Sequence, residues 1–171
     1  NSWTILPLPP FSTWCGGLIY AGNNEIYIAG GAIRTTQFAK FNTATETWID
    51  LSSSATLPFG PNCNALTSDK NGNIYSTLGE ANGFFKFDIS DNVWSTLATM
   101  PFNMLYNHSN LTYASDGNIY ASGGSTAINF AKYNISTNTW TNLSSSFPPP
   151  FTGGGLTTAG NYVYGLGESG Y

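Results

Sequence analysis

The residues best suited to chemistry are few: one histidine, two cysteines and nine carboxylates in 171 residues. Cys15, Cys63 and His108 each stand three residues before a recurring leucine, Leu18, Leu66 and Leu111, and Gly153 holds the same place before Leu156. Thiolate and imidazole are preferred ligands of zinc and copper, so these three side chains form a candidate soft-metal set. Against it, equivalent atoms on neighbouring repeats are expected to lie too far apart for metal bonds of about 2.0–2.3 Å. The same objection applies to a Cys15–Cys63 disulfide, which tolerates a Cα separation of roughly 7 Å. The expectation is packing by small or apolar residues, with no metal and no cofactor. The nine carboxylates offer no pair for acid and base work on a glycosidic bond. His108 has no serine-elbow motif beside it, and the nearest hydroxyl, Ser109, belongs to an acceptor sequon.

Four such sequons begin at Asn107, Asn110, Asn134 and Asn142 and are candidate glycosylation sites. Lys40, Lys86 and Lys132 recur at intervals of 46 and could form a ring for anions or acidic sugars. Their alternation places them with Phe38, Phe84 and Phe130, so the simpler expectation is alkyl stems covering aromatics while the ammonium groups reach carbonyls or water. The segments at 69–73 and 116–118 have calcium-like lettering but lack the spaced carboxylates and terminal Glu of an EF-hand, and read as hairpin turns. Pro-Phe pairs at 10–11, 58–59, 101–102 and 150–151 recur in every repeat, which argues for packing. A binding site ordinarily breaks repeat symmetry. The residues that do so are Trp14, Arg34, Glu80, Tyr106 and His108, and these are the candidate binding residues.

The elements that position them follow from an internal repeat. Trp3, Trp48, Trp94 and Trp140 are spaced by 45, 46 and 46 residues, and Phe41, Phe87 and Tyr133 lie seven residues before the last three. Upstream, Ile-Tyr or Val-Tyr pairs end at Tyr27, Tyr75, Tyr120 and Tyr164, followed by Gly30-Gly31, Leu78-Gly79, Gly123-Gly124 and Leu166-Gly167. Alternation, aromatic enrichment and Asn-Gly or Asp-Gly turns predict four short strands per unit. Proline clusters after the tryptophan strands mark crossing loops, since Pro cannot join a ladder. A four-stranded unit every 45 or so residues predicts a propeller blade.

A Gly-Gly pair closing the second strand, an aromatic on the third and Trp about seven residues on resembles the kelch repeat, a family of β-propellers. The resemblance spans nearly the whole chain, with Gly-Gly intact at 30–31 and 123–124. It implies an all-β kelch-like propeller of about four blades, three complete and one partial, closed alone, between molecules or as part of a larger ring. The blades fall at about 11–52, 59–98, 107–144 and 151–171, with 1–8 as a closing strand of the last beside residues 162–168. Trp48, Trp94 and Trp140 are expected to be buried between or at the edges of blades. Kelch-type oxidases use a ligand set of two Tyr, two His and a cross-linked Cys that a single histidine cannot supply. The Asp-box of sialidase-like propellers is also absent.

Composition bounds the function. Charged residues make up 8% of the chain, while Ser, Thr and Asn together make up one third. A net charge of -4 with scattered basic residues argues against nucleic acid and anionic membranes. No apolar run approaches the roughly 18 residues of a membrane span. The uncharged, hydroxyl- and amide-rich composition points outside the cell or to its surface. The chain opens on Asn rather than Met, so a removed leader or an excised segment is expected. These features predict a non-catalytic module that binds protein or glycan, or a structural subunit of a larger assembly. It is expected as a homo-oligomer, a polymer or part of a longer chain. The alternative is a fragment of a secreted kelch-type enzyme, an oxidase or sugar isomerase, whose catalytic residues lie elsewhere.

Overall fold

The computed structural model describes residues 2–13, 16–30, 36–58, 64–79, 81–104, 110–123, 129–146 and 155–166. Among them the chain is all-β. Strands β1 (Gly17–Gly22), β2 (Glu25–Ala29), β3 (Phe38–Asn42) and β4 (Thr47–Asp50) form the first sheet. Strands β5 (Leu66–Ser68), β6 (Asn73–Thr77), β7 (Phe84–Asp88) and β8 (Val93–Thr96) form the second. The third comprises β9 (Asn110–Tyr113), β10 (Asn118–Gly123), β11 (Asn129–Asn134) and β12 (Thr139–Asn142); the fourth is the hairpin of β13 (Leu156–Ala159) and β14 (Tyr162–Gly165). Every sheet is antiparallel with strands in chain order, and a single 3₁₀ turn at Ser144–Ser146 is the sole helical element among the described residues. The first strands adjoin in sequence, β1 with β5, β5 with β9 and β9 with β13, so the blade-like sheets stand side by side around their inner edges.

Local chemistry repeats with the sheets. Each third strand ends on Asn42, Asp88 or Asn134, whose Oδ1 accepts backbone N–H bonds from Ala44 and Thr45, from Ser90 and Asp91, and from Thr137. Such a side-chain bond mimics a backbone turn and reverses the strand. Four residues on, Glu46, Asn92 and Asn138 take left-handed φ values of 54°, 57° and 52°. Close approach of first strands is set by Gly17, where a Cβ would start 2.7 Å from Leu66 Cγ. Its N–H instead donates to Asn64 Oδ1 at 3.2 Å.

The core lies between sheets. Tyr27 stacks on Phe38 within the first sheet, and Phe38 meets Phe87 and Trp94 of the second edge-on at 4.8 and 5.2 Å. One repeat on, Tyr75 stacks on Phe84, which meets Tyr133 and Trp140 edge-on at 4.8 and 4.9 Å. Tyr27, Tyr75, Phe38 and Phe84 are fully buried, whereas Trp48, Trp94 and Trp140 are half-buried at the outer edges. Aromatic pairs of this kind contribute about 0.5–1.5 kcal/mol beyond their buried area.

One expectation needs correction. The segment at Trp3, expected as a strand beside residues 162–168, forms no strand, and Trp3 is 99% exposed. The segment instead follows the first sheet: Trp48 Nε1 donates to the Pro7 carbonyl at 2.9 Å, as Trp140 Nε1 donates to the Ala98 carbonyl at 2.9 Å. Pro7 follows Trp3 by four residues and Ala98 follows Trp94 by four, so residues 2–9 hold the register of a fourth-strand exit. Among the described residues no third strand lies beside Trp3, and its backbone has no ladder to join.

Candidate functional site

Antiparallel order places the connections from first to second and from third to fourth strands on one rim. The second-to-third connections and those between sheets leave from the other rim. The symmetry-breaking candidates are Trp14, Arg34, Glu80, Tyr106 and His108. All five lie outside the described residues, as do Cys15, Cys63 and Asn107. Among the described residues no group of three or more His, Cys, Asp or Glu is placed to hold a metal ion.

The strand ends from which these connections leave carry a buried polar network. Asn64 donates from Nδ2 to Ser76 Oγ at 3.1 Å while its Oδ1 accepts from Gly17 N–H, which ties the first sheet to the second. Thr77 Oγ1 accepts from Ala65 N–H at 2.9 Å. Ser122 occupies the corresponding end of β10, 1% exposed, and its Oγ has no hydrogen-bond partner among the described residues. Composition alone did not single out Asn64 or Ser122. Their signal is position: Asn64 lies two residues before β5, and Ser122 lies one residue before the end of β10.

The opposite rim holds two polar clefts that share Asp116. One, between the second and third sheets, is lined by Asp69, Asn71, Tyr113, Asp116 and Asn134; the other, towards the fourth, by Ser115, Asp116, Tyr120 and Asn161. Asp69 is buried, yet all its acceptor directions are used. Oδ1 takes Asn71 N–H and Asn73 N–H at 2.8 and 3.1 Å, and Oδ2 takes Asn73 Nδ2 and Tyr75 OH at 2.7 and 3.4 Å. Asp116 takes Asn118 N–H at 3.1 Å and Tyr120 OH at 2.9 Å. Burial alone would raise the Asp116 pKa, but bonds from Asn118 and Tyr120 and the Lys132 charge outweigh it and hold the carboxyl below its usual range. Burial, then the bond to Asp116, pushes the Tyr120 phenol up to about 12. Both side chains accept hydrogen bonds from their own turns.

The equivalent feature of the first sheet is a chain of three groups. Glu25 accepts from Tyr27 OH at 2.7 Å through one oxygen and from Lys40 Nζ through the other. Lys40–Glu25 is the one ion pair among the described residues. This corrects the expectation that the Lys40 ammonium reaches carbonyls or water: the aromatic row brings Glu25 within range. Among the sequons, Asn142 is exposed at the end of β12, Asn134 closes β11 half-buried, and Asn110 lies half-buried within β9.

No family model matches the chain, and no curated protein matches it. Among solved structures 191 chains match. One, described as "Structure of YjhT", superposes with a TM-score of 0.77 over 95% of this chain at 17% identity. This chain spans 60% of that protein's length. At this identity the likeness is one of fold.

Proposed function

We propose that the chain is an arc of a kelch-like β-propeller that acts as a non-catalytic extracellular or cell-surface module, binding protein or glycan or serving as a subunit of a larger assembly. The observation that carries this reading is the use of the repeated residues. The tryptophans and their aromatic partners pack sheet against sheet, and Asp69, Asp116 and Glu25 hold turns and tyrosines. The repeat signature therefore builds a scaffold, and recognition falls to residues that break the repeat. The charge-poor, hydroxyl- and amide-rich composition, net negative, suits a glycan or protein surface better than a polyanion.

The test is binding of the purified chain to immobilised neutral and acidic oligosaccharides and to cell-surface protein extracts, repeated with Tyr106→Ala and His108→Ala. Saturable binding weakened by those substitutions supports the module. Stoichiometric copper in the purified protein, or turnover of a sugar without retained binding, overturns it in favour of an enzyme.

A further inference from the structure

The second and third sheets each have another sheet on both sides, and the polar cleft at the rim between them is built from residues that depart from the repeat. Strand register puts Tyr20, Ser68, Tyr113 and Thr158 at one position, opposite Ile26, Ile74, Ile119 and Val163. The next position is Ala21, Ala114 and Ala159 in three sheets and Asp69 in the second. Where the third strands end, Asn134 of the third sheet matches Asp88 of the second. The cleft therefore combines Asp69, Tyr113 and Asn134, whereas the corresponding place one sheet earlier carries Ala21, Ser68 and Asp88.

Its volume is about 350 Å³, at the lower end of the roughly 300–1,000 Å³ of small-molecule sites. The four bonds that Asp69 accepts leave it nothing to offer a ligand. Other groups keep capacity. The Asp116 carboxylate accepts from Asn118 N–H and Tyr120 OH, about half of the four bonds an ionised carboxylate can take. Asn134 uses Oδ1 for Ser136 Oγ and Thr137 N–H, and its Nδ2 has no partner among the described residues. The side-chain amide of Asn71 and the hydroxyl of Tyr113 likewise have none, while the Tyr113 ring packs against the core. A carboxylate, two carboxamides and a phenol thus present acceptors and donors to one cleft, which is what a ring bearing several hydroxyls requires.

We infer that this cleft binds one uncharged hexose unit of a glycan through Asp116, Asn134, Asn71 and Tyr113. Sugar hydroxyls donating to Asp116 make charge-assisted bonds. Anionic sugars are disfavoured because Asp69 and Asp116 both line the cleft. A metal ion finds no group of three or more ligating side chains among the described residues, and the Lys132 charge already acts on Asp116. The inference rests on the glycan arm of the proposed function and gives it a site.

The experiment is titration of the 171-residue chain with the methyl glycosides of glucose, galactose, mannose and N-acetylglucosamine, and with glucuronate, followed by backbone amide chemical shifts. A host without N-glycosylation keeps the Asn134 sequon unmodified. At least one neutral glycoside should saturate, with shift changes concentrated at residues 69–73, 113–118 and 134–136, and glucuronate should not. Asn134→Asp keeps the turn, since Asp88 accepts the same kind of backbone bonds in the second sheet, and removes the Nδ2 donor. Asn134→Asp and Tyr113→Phe should each weaken affinity about 5-fold or more, as losing one hydrogen bond does. Asn42→Asp, the matching change in the first sheet, should leave it unaltered. Saturation with shifts elsewhere, or affinity indifferent to both cleft substitutions, overturns the cleft and leaves the glycan reading standing. Failure of every neutral glycoside to saturate, or tighter binding of glucuronate, also overturns the cleft, and the immobilised oligosaccharides then decide the glycan reading separately.

Discussion

Phe84 of the second sheet meets the indole of Trp140 in the third edge-on, with ring centroids 4.9 Å apart and planes at 68°. The same indole donates from Nε1 to the carbonyl of Ala98, just beyond the second sheet's last strand. Asn138, on the turn before Trp140, accepts the N–H of that same Ala98 at 2.9 Å. Third-sheet side chains thus grip the second sheet by one aromatic face and by both backbone groups of a single residue. Phe38 and Trp94 repeat the aromatic half of this arrangement between the first and second sheets, at 5.2 Å and 66°.

Asn138 also accepts from Tyr133 OH at 2.8 Å and holds a φ of 52°, a conformation Asn tolerates better than most residues. Asn138→Ala should therefore lower stability by about 1–3 kcal/mol in denaturant melts, through an unsatisfied Ala98 N–H and backbone strain. Glu46 has the same φ region without Asn's local advantage. Glu46→Asn is expected to raise stability by about 0.5–1 kcal/mol.

Acid should weaken the first sheet selectively. Burial would raise the Glu25 pKa, but the bonds from Lys40 and Tyr27 and the Lys40 charge hold it below its ordinary 4.5. A carboxyl whose folded pKa is depressed contributes stability that is present above the unfolded value and lost as pH falls through the folded one. Glu25→Gln is expected to cost no more than about 1 kcal/mol at neutral pH, since the pair is part-exposed. The difference from wild type should shrink below pH 4.5 and vanish once wild-type Glu25 is protonated. A pH series of thermal melts on both proteins measures it.

Alkali should act through the tyrosines. Tyr120 and Tyr133 are both pushed up to about 12, Tyr120 by burial and Asp116, Tyr133 by burial. A phenol with a raised folded pKa contributes stability that is complete below the ordinary 10.0 and lost as pH rises through the folded value. Spectrophotometric titration of tyrosinate should show a delayed class of groups. In Asp116→Asn the Tyr120 member of that class should titrate earlier, because the carboxylate that opposes its ionisation is gone.

The architecture was legible because its signals are local and repeated. The spacing of Trp48, Trp94 and Trp140 and the turns at Gly72 and Gly117 mark the three four-stranded sheets. The opening segment departs from the expectation for the same reason. Trp3 shares the period, but a strand needs a neighbour, and that requirement is not local. The pairing of Lys40 with Glu25 was hidden because it joins β3 to β2 across the row of Tyr27, and only register reveals it. The candidate site residues were chosen for breaking the repeat, and Trp14, Arg34, Glu80, Tyr106 and His108 all lie outside the described residues. The polar rim at Asn64 and Ser122 escaped notice because neither residue is unusual in type, only in where its strand ends.

The recurring aromatics form a packing code between sheets. Its most direct test is a double-mutant cycle on Phe84→Leu and Trp140→Leu, with Phe38 and Trp94 as the replicate one repeat away. Unfolding free energies should reveal a coupling of about 0.5–1.5 kcal/mol in each cycle, as edge-on aromatic pairs give. Losses that simply add, within about 0.3–0.5 kcal/mol, in both cycles would contradict it.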